Sequence, residues 1–377
     1  MKQNKQWIEE TWKKVDQKLS ATCIRSREKL PYTSINGVHD NKAETNVSWW
    51  TNGFWGGMMW LMYLGTQNDE YKKTAIRAEE LLDKALENYK KLHHDVGFMW
   101  HILAGARYRI TGDRDAYNKN LYLAATLFSR YNVDGQYIRA WNIEKAKDWT
   151  IIDCMMNIPL LYWASDEIGD SRFSKVAMKH ADMVLRDHIR SDGSVNHIVE
   201  HDNMTGELIK VYAGQGYSET SCWSRGVAWA IYGMVLSYIH TKKREYLEAA
   251  IKSADYFISH CKENDYLTVI DFEAPTIPDY YDSTAGVCTA CGLIELAKCL
   301  GEEDGEKYLD AAICILKATD REFCDYTEKE DALVLVGSER YPFDEKTMQG
   351  VHIPIIYGDF FYVEALFKLM DNDFLIW

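Results

Sequence analysis

Asp153 is the only carboxyl in an apolar run. Ile151, Ile152, Cys154, Met155, Met156, Asn157 and Ile158 surround it, directly after the charged stretch Glu144, Lys145, Lys147 and Asp148. Desolvation disfavours an ionised carboxyl, so such a setting favours a neutral acid able to deliver a proton near neutral pH. The plainer role for such a residue is to cap a helix or accept from backbone donors. A second acid, Asp95, stands in His93-His94-Asp95-Val96-Gly97-Phe98, ahead of the apolar run Met99 to Ile110. Its ordinary role is an N-cap; its chemical role is a carboxylate at a helix mouth, facing Asp153 across a pocket. Two carboxyls are the usual equipment of a glycosidase, one to donate a proton and one to act as base or nucleophile.

Aromatic and polar clusters flank both acids. Trp49, Trp50, Phe54, Trp55 and Trp60 crowd one stretch, Trp141 precedes Asp153, and Trp223, Arg225 and Trp229 alternate with small residues. Taken singly these are core residues. Taken with Gln215 and Arg225 they suit an acidic sugar, because rings stack on indole while guanidinium and amide bind its carboxylate. His93, His94 and His101 have no second carboxylate or Cys set placed to complete a metal site, so no metal and no cofactor are expected. Cys288 and Cys291 form a C-x-x-C, but with Cys299 they fall at helical spacing beside Ala290, Leu293 and Leu296, which reads as packing.

The elements that must position these groups repeat. A long apolar-periodic run ends in a polar turn and an aromatic residue opens the next helix, at Thr66 to Tyr71, Thr111 to Tyr117, Ile168 to Phe173, His240 to Tyr246 and Leu300 to Tyr308. Gly112-Asp113, Gly169-Asp170 and Gly301-Glu302 supply a stop and an acidic start. Repeated helix pairs leave an open solenoid or a closed α/α toroid. Long connections rich in Trp, His, Asp and Arg favour the toroid. The fold expected is therefore all-α, an (α/α)6 six-hairpin barrel. With six prolines and no Pro-, Gly- or Ser-rich linker, residues 1–377 read as one domain. Segments Gly193 to Ile198 and Glu207 to Tyr212 suggest a short hairpin around Asp202-Asn203.

Composition excludes several classes. A net charge of −14 argues against nucleic-acid binding. Met1 to Leu19 is amphipathic, with Trp7, Ile8, Trp12, Val15 and Leu19 at helical spacing and no apolar core of a signal peptide. No run of about 18 apolar residues is expected to span a bilayer. Nine scattered cysteines fit reduced thiols in a cytoplasm.

Several blocks together resemble the unsaturated glucuronyl hydrolases of glycoside hydrolase family 88. They are Trp50-Thr51-Asn52-Gly53-Phe54-Trp55, His94-Asp95-Val96-Gly97-Phe98, Ile152 to Leu160, Trp223-Ser224-Arg225-Gly226-Val227-Ala228-Trp229, Asp282-Ser283-Thr284-Ala285 and Tyr357-Gly358-Asp359-Phe360. The resemblance implies a six-hairpin barrel that removes a terminal 4,5-unsaturated uronic acid from oligosaccharides released by polysaccharide lyases. It aligns Asp153 with the general acid/base and Asp95 with a second essential Asp. Trp50, Phe54, Trp141, His197, Gln215, Trp223, Arg225 and Trp229 align with sugar-contacting positions. Many relatives carry His before the Gln-Gly pair, where this chain has Gly214, and the Ser-x-x-Ser-x-Lys pattern linked to sulfated substrates is absent near 338 to 350. A hydrolase of unsaturated rhamnogalacturonan disaccharides and a non-catalytic helical-repeat scaffold are the competing readings. The linkage, the aglycone sugar and the oligomeric state are not legible.

Overall fold

Each polar junction in the sequence folds as a helix stop followed by a helix start. Gly112 and Gly169 end their helices at φ +75° and +67°, left-handed backbone that glycine adopts at no steric cost. Asp113 then accepts from the Ala116 N–H (2.9 Å) and Asp170 from the Arg172 N–H (3.0 Å), capping the next helices. Asn68 does the same for Glu70 at 3.0 Å.

The computed structural model describes residues 2–277, 279–342 and 348–377. In chain order the helices are α1 (Lys2–Arg25), α2 (Lys42–Thr45), α3 (Phe54–Thr66), α4 (Asp69–Leu82), a π-helix (Gly97–Gly105) continuing as α5 (Ala106–Thr111), α6 (Arg114–Phe128) and α7 (Pro159–Ile168). They continue as α8 (Ser171–Asp187), α9 (Ser224–Thr241), α10 (Arg244–Lys262), α11 (Ser283–Leu300), α12 (Glu302–Phe323) and α13 (Ile356–Leu369). Five sequential pairs, α3 with α4, the π-helix with α6, α7 with α8, α9 with α10 and α11 with α12, form hairpins. The sixth pair joins the two ends of the chain, α13 against α1. The inner members touch in a closed circuit, α13 to α3, to the π-helix, to α7, α9, α11 and back to α13. That circuit is a toroid and not an open solenoid.

Burial follows the two rings. Inner helices are apolar on nearly every side, as α9 from Ser224 to Ser237 shows. Outer helices bury one stripe, as in α8 with Val176, Ala177, His180, Ala181, Val184 and Asp187. Helix α1 behaves as its pattern requires, burying Ile8, Trp12, Val15 and Leu19. One expectation needs correcting. Helix α11 has the length and mean hydropathy (1.3) to cross a bilayer. It does not stand alone as an apolar rod, however, since 78% of it is buried between α9, α12 and α13. Its Cys288 and Cys291 are fully buried packing residues.

A small three-stranded antiparallel sheet interrupts the helices: Trp149–Ile151, Ile198–His201 and Leu208–Tyr212, paired in that order. The last two are the hairpin expected around Asp202-Asn203, although its first strand begins at Ile198 and not at Gly193. The first strand was not foreseen, because three residues are too few to show a period of two.

Candidate active site

The unforeseen strand carries the first acid. Trp149–Ile151 runs directly into a 3-10 turn, Ile152–Met156, with Asp153 in its first turn and no side-chain cap. Ile151 pairs with Ile198, and the Ile152 N–H donates to the His197 carbonyl at 3.1 Å. This register sets His197 Nε2 at 3.5 Å from Asp153 Oδ1, both buried. The other ring nitrogen, Nδ1, accepts the Gln215 backbone N–H at 3.0 Å. A nitrogen that accepts carries no proton, so the neutral imidazole holds its proton on Nε2, facing Asp153. Gly214 permits this contact: at φ +62°, a Cβ there would stand 2.1 Å from His197 Nδ1.

Asp95 is not a side-chain cap. The π-helix begins after Val96 without one, and Asp95 contributes its carbonyl to Met99 N (3.0 Å). Its buried carboxyl faces His93 Nδ1 at 3.1 Å, His94 Nε2 at 3.5 Å and Asn157 Nδ2 at 3.4 Å. Burial alone would push this acid up, but the two histidines and Asn157 outweigh it and hold Asp95 below its ordinary value. His94 is fully enclosed, and burial pushes it down to about 4 against the opposing pull of Asp95. His93 and His94 thus share the Asp95 carboxylate that follows them in the sequence. The ligand-capable atoms of His93, His94 and Asp95 lie within 4.8 Å of one another, while His101 turns away to Asn120.

The aromatic candidates divide into two layers. Trp50 and Trp141 keep solvent-accessible faces. Trp50 leans on Phe98 and Tyr357 (centroids 5.5 and 5.2 Å), and Trp141 meets His94 edge-on. Phe54 and Trp229 are fully buried and form a layer beneath, Phe54 against Trp50 and Tyr357, Trp229 against Phe98 and Phe361. They support exposed rings and offer no free face of their own. Trp223 lies between the His197 ring (4.3 Å) and the Arg225 guanidinium (4.6 Å).

Arg225 departs most from expectation. It is 1% exposed. Nη1 donates to Asp282 Oδ2 (2.5 Å), Thr284 Oγ1 (3.0 Å) and the Ser338 carbonyl, and Nη2 to the Glu339 carbonyl (2.8 Å). Among the described residues, Nε–H and one Nη2 hydrogen have no acceptor. Burial opposes its charge, yet Asp282, with Tyr357 and Asp153 behind it, keeps the guanidinium firmly protonated. Gln215 commits one of its two side-chain amide hydrogens to the same Glu339 carbonyl.

Sequence reasoning left several neighbours without a role. Asn157, Asp282 and Tyr357 lie inside blocks that carry the family resemblance, so a signal existed. Glu339 had none: it reaches Arg225 and Gln215 through its main chain, which no side-chain pattern encodes. Residues 343–347, part of the stretch searched for the Ser-x-x-Ser-x-Lys pattern, lie outside the described residues. An open groove of about 510 Å³ lined by Arg190, Asp192, Lys210 and Glu273 contains none of the candidate residues.

Comparison with known proteins places this geometry. The model of Glycosyl Hydrolase Family 88 matches residues 26–265. The chain belongs to glycoside hydrolase family 88. It is 34% identical over 350 residues to the unsaturated glucuronyl hydrolase of Bacillus sp. (strain GL1), covering 91% of each chain. It is 32% identical over 334 residues to the unsaturated chondroitin disaccharide hydrolase of Streptococcus pneumoniae (strain ATCC BAA-255 / R6), covering 87% of this chain and 83% of that one. The crystal structure of the Bacillus sp. GL1 enzyme, described as responsible for degradation of glycosaminoglycan, superposes with a TM-score of 0.85 at 30% identity, covering 94% of each chain. Family membership makes the chain a glycoside hydrolase and removes the non-catalytic scaffold.

Proposed function

We propose that this chain, acting as one catalytic unit, releases the terminal 4,5-unsaturated uronic acid from lyase-generated oligosaccharides by hydrating the C4=C5 double bond. The relatives' names favour this over the rhamnogalacturonan alternative. The observation that carries the reading is the pairing of two buried acids in opposite settings. Asp95 accepts from Asn157 Nδ2 and lies beside two imidazoles, whereas Asp153 Oδ1 has no hydrogen-bond partner among the described residues and faces His197 Nε2 alone at 3.5 Å.

The double bond is a vinyl ether, conjugated to the ring oxygen. Asp153, starting as the acid, protonates C4. With His197 Nε2–H facing Oδ1, the proton to be given sits on Oδ2. Cationic character develops at C5, where the ring oxygen stabilises it, and the Asp95 carboxylate adds electrostatic support or holds ring hydroxyls. Water adds at C5, and Asp153 takes the proton it sheds, so one residue serves as acid and then base. The hemiketal opens and frees the neighbouring sugar. Trp50 and Trp141 supply stacking faces, Phe54, Trp223 and Trp229 back them, and the free Arg225 and Gln215 donors face the uronate carboxylate. A reducing cytoplasm is part of the same proposal, supported by nine cysteines none of which is in a disulfide.

The test is loss of the ultraviolet absorbance of the conjugated double bond when the protein meets unsaturated disaccharides from chondroitin, hyaluronan, heparin, gellan and xanthan. Absorbance that holds steady with every one of them refutes the function.

A further inference from the structure

Asn157 is fully buried, cannot reach a substrate, and yet touches both candidate acids. It follows the 3-10 turn that carries Asp153 and precedes α7. Its Oδ1 accepts the Phe98 N–H at 2.7 Å. Phe98 is in the first turn of the π-helix, where backbone N–H groups have no partner within the helix and Val96 offers no side-chain cap. Because a backbone N–H can only donate, this contact dictates which end of the amide is oxygen. Nδ2 must then face the other way, toward two acceptors: Asp95 Oδ1 at 3.4 Å and the Asp153 carbonyl at 3.3 Å. All three functions of the amide are used. Space enforces the arrangement too. A Cβ on Gly97 would come within 2.7 Å of Asn157 Cα and 2.8 Å of its Oδ1, so only glycine lets the π-helix approach this closely.

One amide therefore ties the start of the helix behind Asp95, the Asp95 carboxyl and the main chain of Asp153. We infer that Asn157 is a positioning residue for the reaction, holding the two carboxyls at their working separation and keeping a hydrogen-bond donor on Asp95. This rests on the reading of Asp95 and Asp153 as the reacting pair. The same donor is among the groups that favour the Asp95 anion. The other titratable groups facing Asp95 are His93, His94, Arg130 and Cys154, and substitution at 157 leaves each of them in place.

The experiment compares wild type, Asn157→Asp and Asn157→Ala on an unsaturated disaccharide that the wild type hydrolyses, recording kcat, KM, the pH profile of kcat/KM and the melting temperature. Asn157→Asp is isosteric and keeps the Phe98 acceptor but presents an acid to Asp95; Asn157→Ala removes donor and acceptor. Displacing reacting groups by about 1 Å costs on the order of 10²-fold, so kcat should fall roughly 10- to 100-fold with KM within a few-fold. The acid limb of the pH profile should move to higher pH in both variants, furthest in Asn157→Asp. Folded variants with a wild-type kcat and an unmoved limb overturn the inference. So does a lost kcat with an unmoved limb and a lowered melting temperature, or failure of both variants to fold, because each makes Asn157 a structural strut only. A wild type inactive on every disaccharide would instead remove the functional reading beneath it.

Discussion

Replacing Arg225 by alanine should damage the fold before it damages recognition. From sequence alone the substitution costs about 1.5–3 kcal/mol of binding, the value of lost charge-assisted contacts to a uronate. The structure changes the ledger, because the guanidinium already bonds Asp282, Thr284 and the carbonyls of Ser338 and Glu339. Asp282 is fully buried. Its Oδ1 keeps donors from Thr284 and Ser338, but among the described residues Oδ2 has Arg225 alone. Removing one partner of a buried pair costs about 3–5 kcal/mol, mostly from the charge left behind. With roughly 2 cal/mol/K of unfolding entropy per residue, a chain of this length loses about 4–6 °C of melting temperature. Arg225→Lys should rescue little, since one ammonium cannot span acceptors set for a planar fork. Adding Asp282→Asn to Arg225→Ala should recover part of the loss, because the stranded charge is gone. Calorimetric melting of the four proteins, alongside kcat and KM, decides. An Arg225→Ala protein that melts with the wild type and only raises KM would refute this reasoning and return Arg225 to a pure binding role.

Three further outcomes are expected. Asp153→Asn should melt like the wild type yet lose about 10²–10⁴-fold in kcat, the usual worth of general acid–base catalysis; near-normal turnover would remove Asp153 from the chemistry. Acid should unfold the protein well above the carboxylate range. Burial pushes His94 down to about 4 and His188 to about 3, and drives His101 and His180 far below 6.5. The unfolded chain binds protons on these four as pH falls through 6.5 while the folded chain does not, so stability present above 6.5 is lost on the way down. Each site contributes about 1.4 kcal/mol per pH unit, roughly 5 kcal/mol per unit together; urea denaturation that is unchanged between pH 7.5 and 5 would contradict this. Dialysis against EDTA should leave turnover unaltered if Asp95 acts as a free carboxylate. Activity that is lost and then restored by one particular divalent ion would reassign His93, His94 and Asp95 as its ligands.

Much of the architecture was legible because it is written in local terms. Gly112-Asp113 and Gly169-Asp170 stop and start helices through backbone freedom and a side-chain oxygen two or three residues away, and the amphipathic stripe of α8 needs only a core to face. The two acids stood out as candidates for a similar reason, Asp153 as a lone carboxyl in an apolar run and Asp95 as an acid just ahead of an apolar helix. The rest is a matter of neighbours distant in sequence. Pairing Ile151 with Ile198 brought His197 to Asp153, and Gln215 settled its tautomer. The π-helix turned Asp95 from a cap into a partner of two histidines and Asn157. The closing hairpin joins α1 to α13, which no short-range pattern announces. Arg225 looked like a free sugar-binding cation, and only its burial against Asp282 and two main-chain carbonyls made it a structural keystone. Types and periods set what each residue is able to do; which of those abilities is spent inside the fold depends on long-range contacts that a linear sequence does not display.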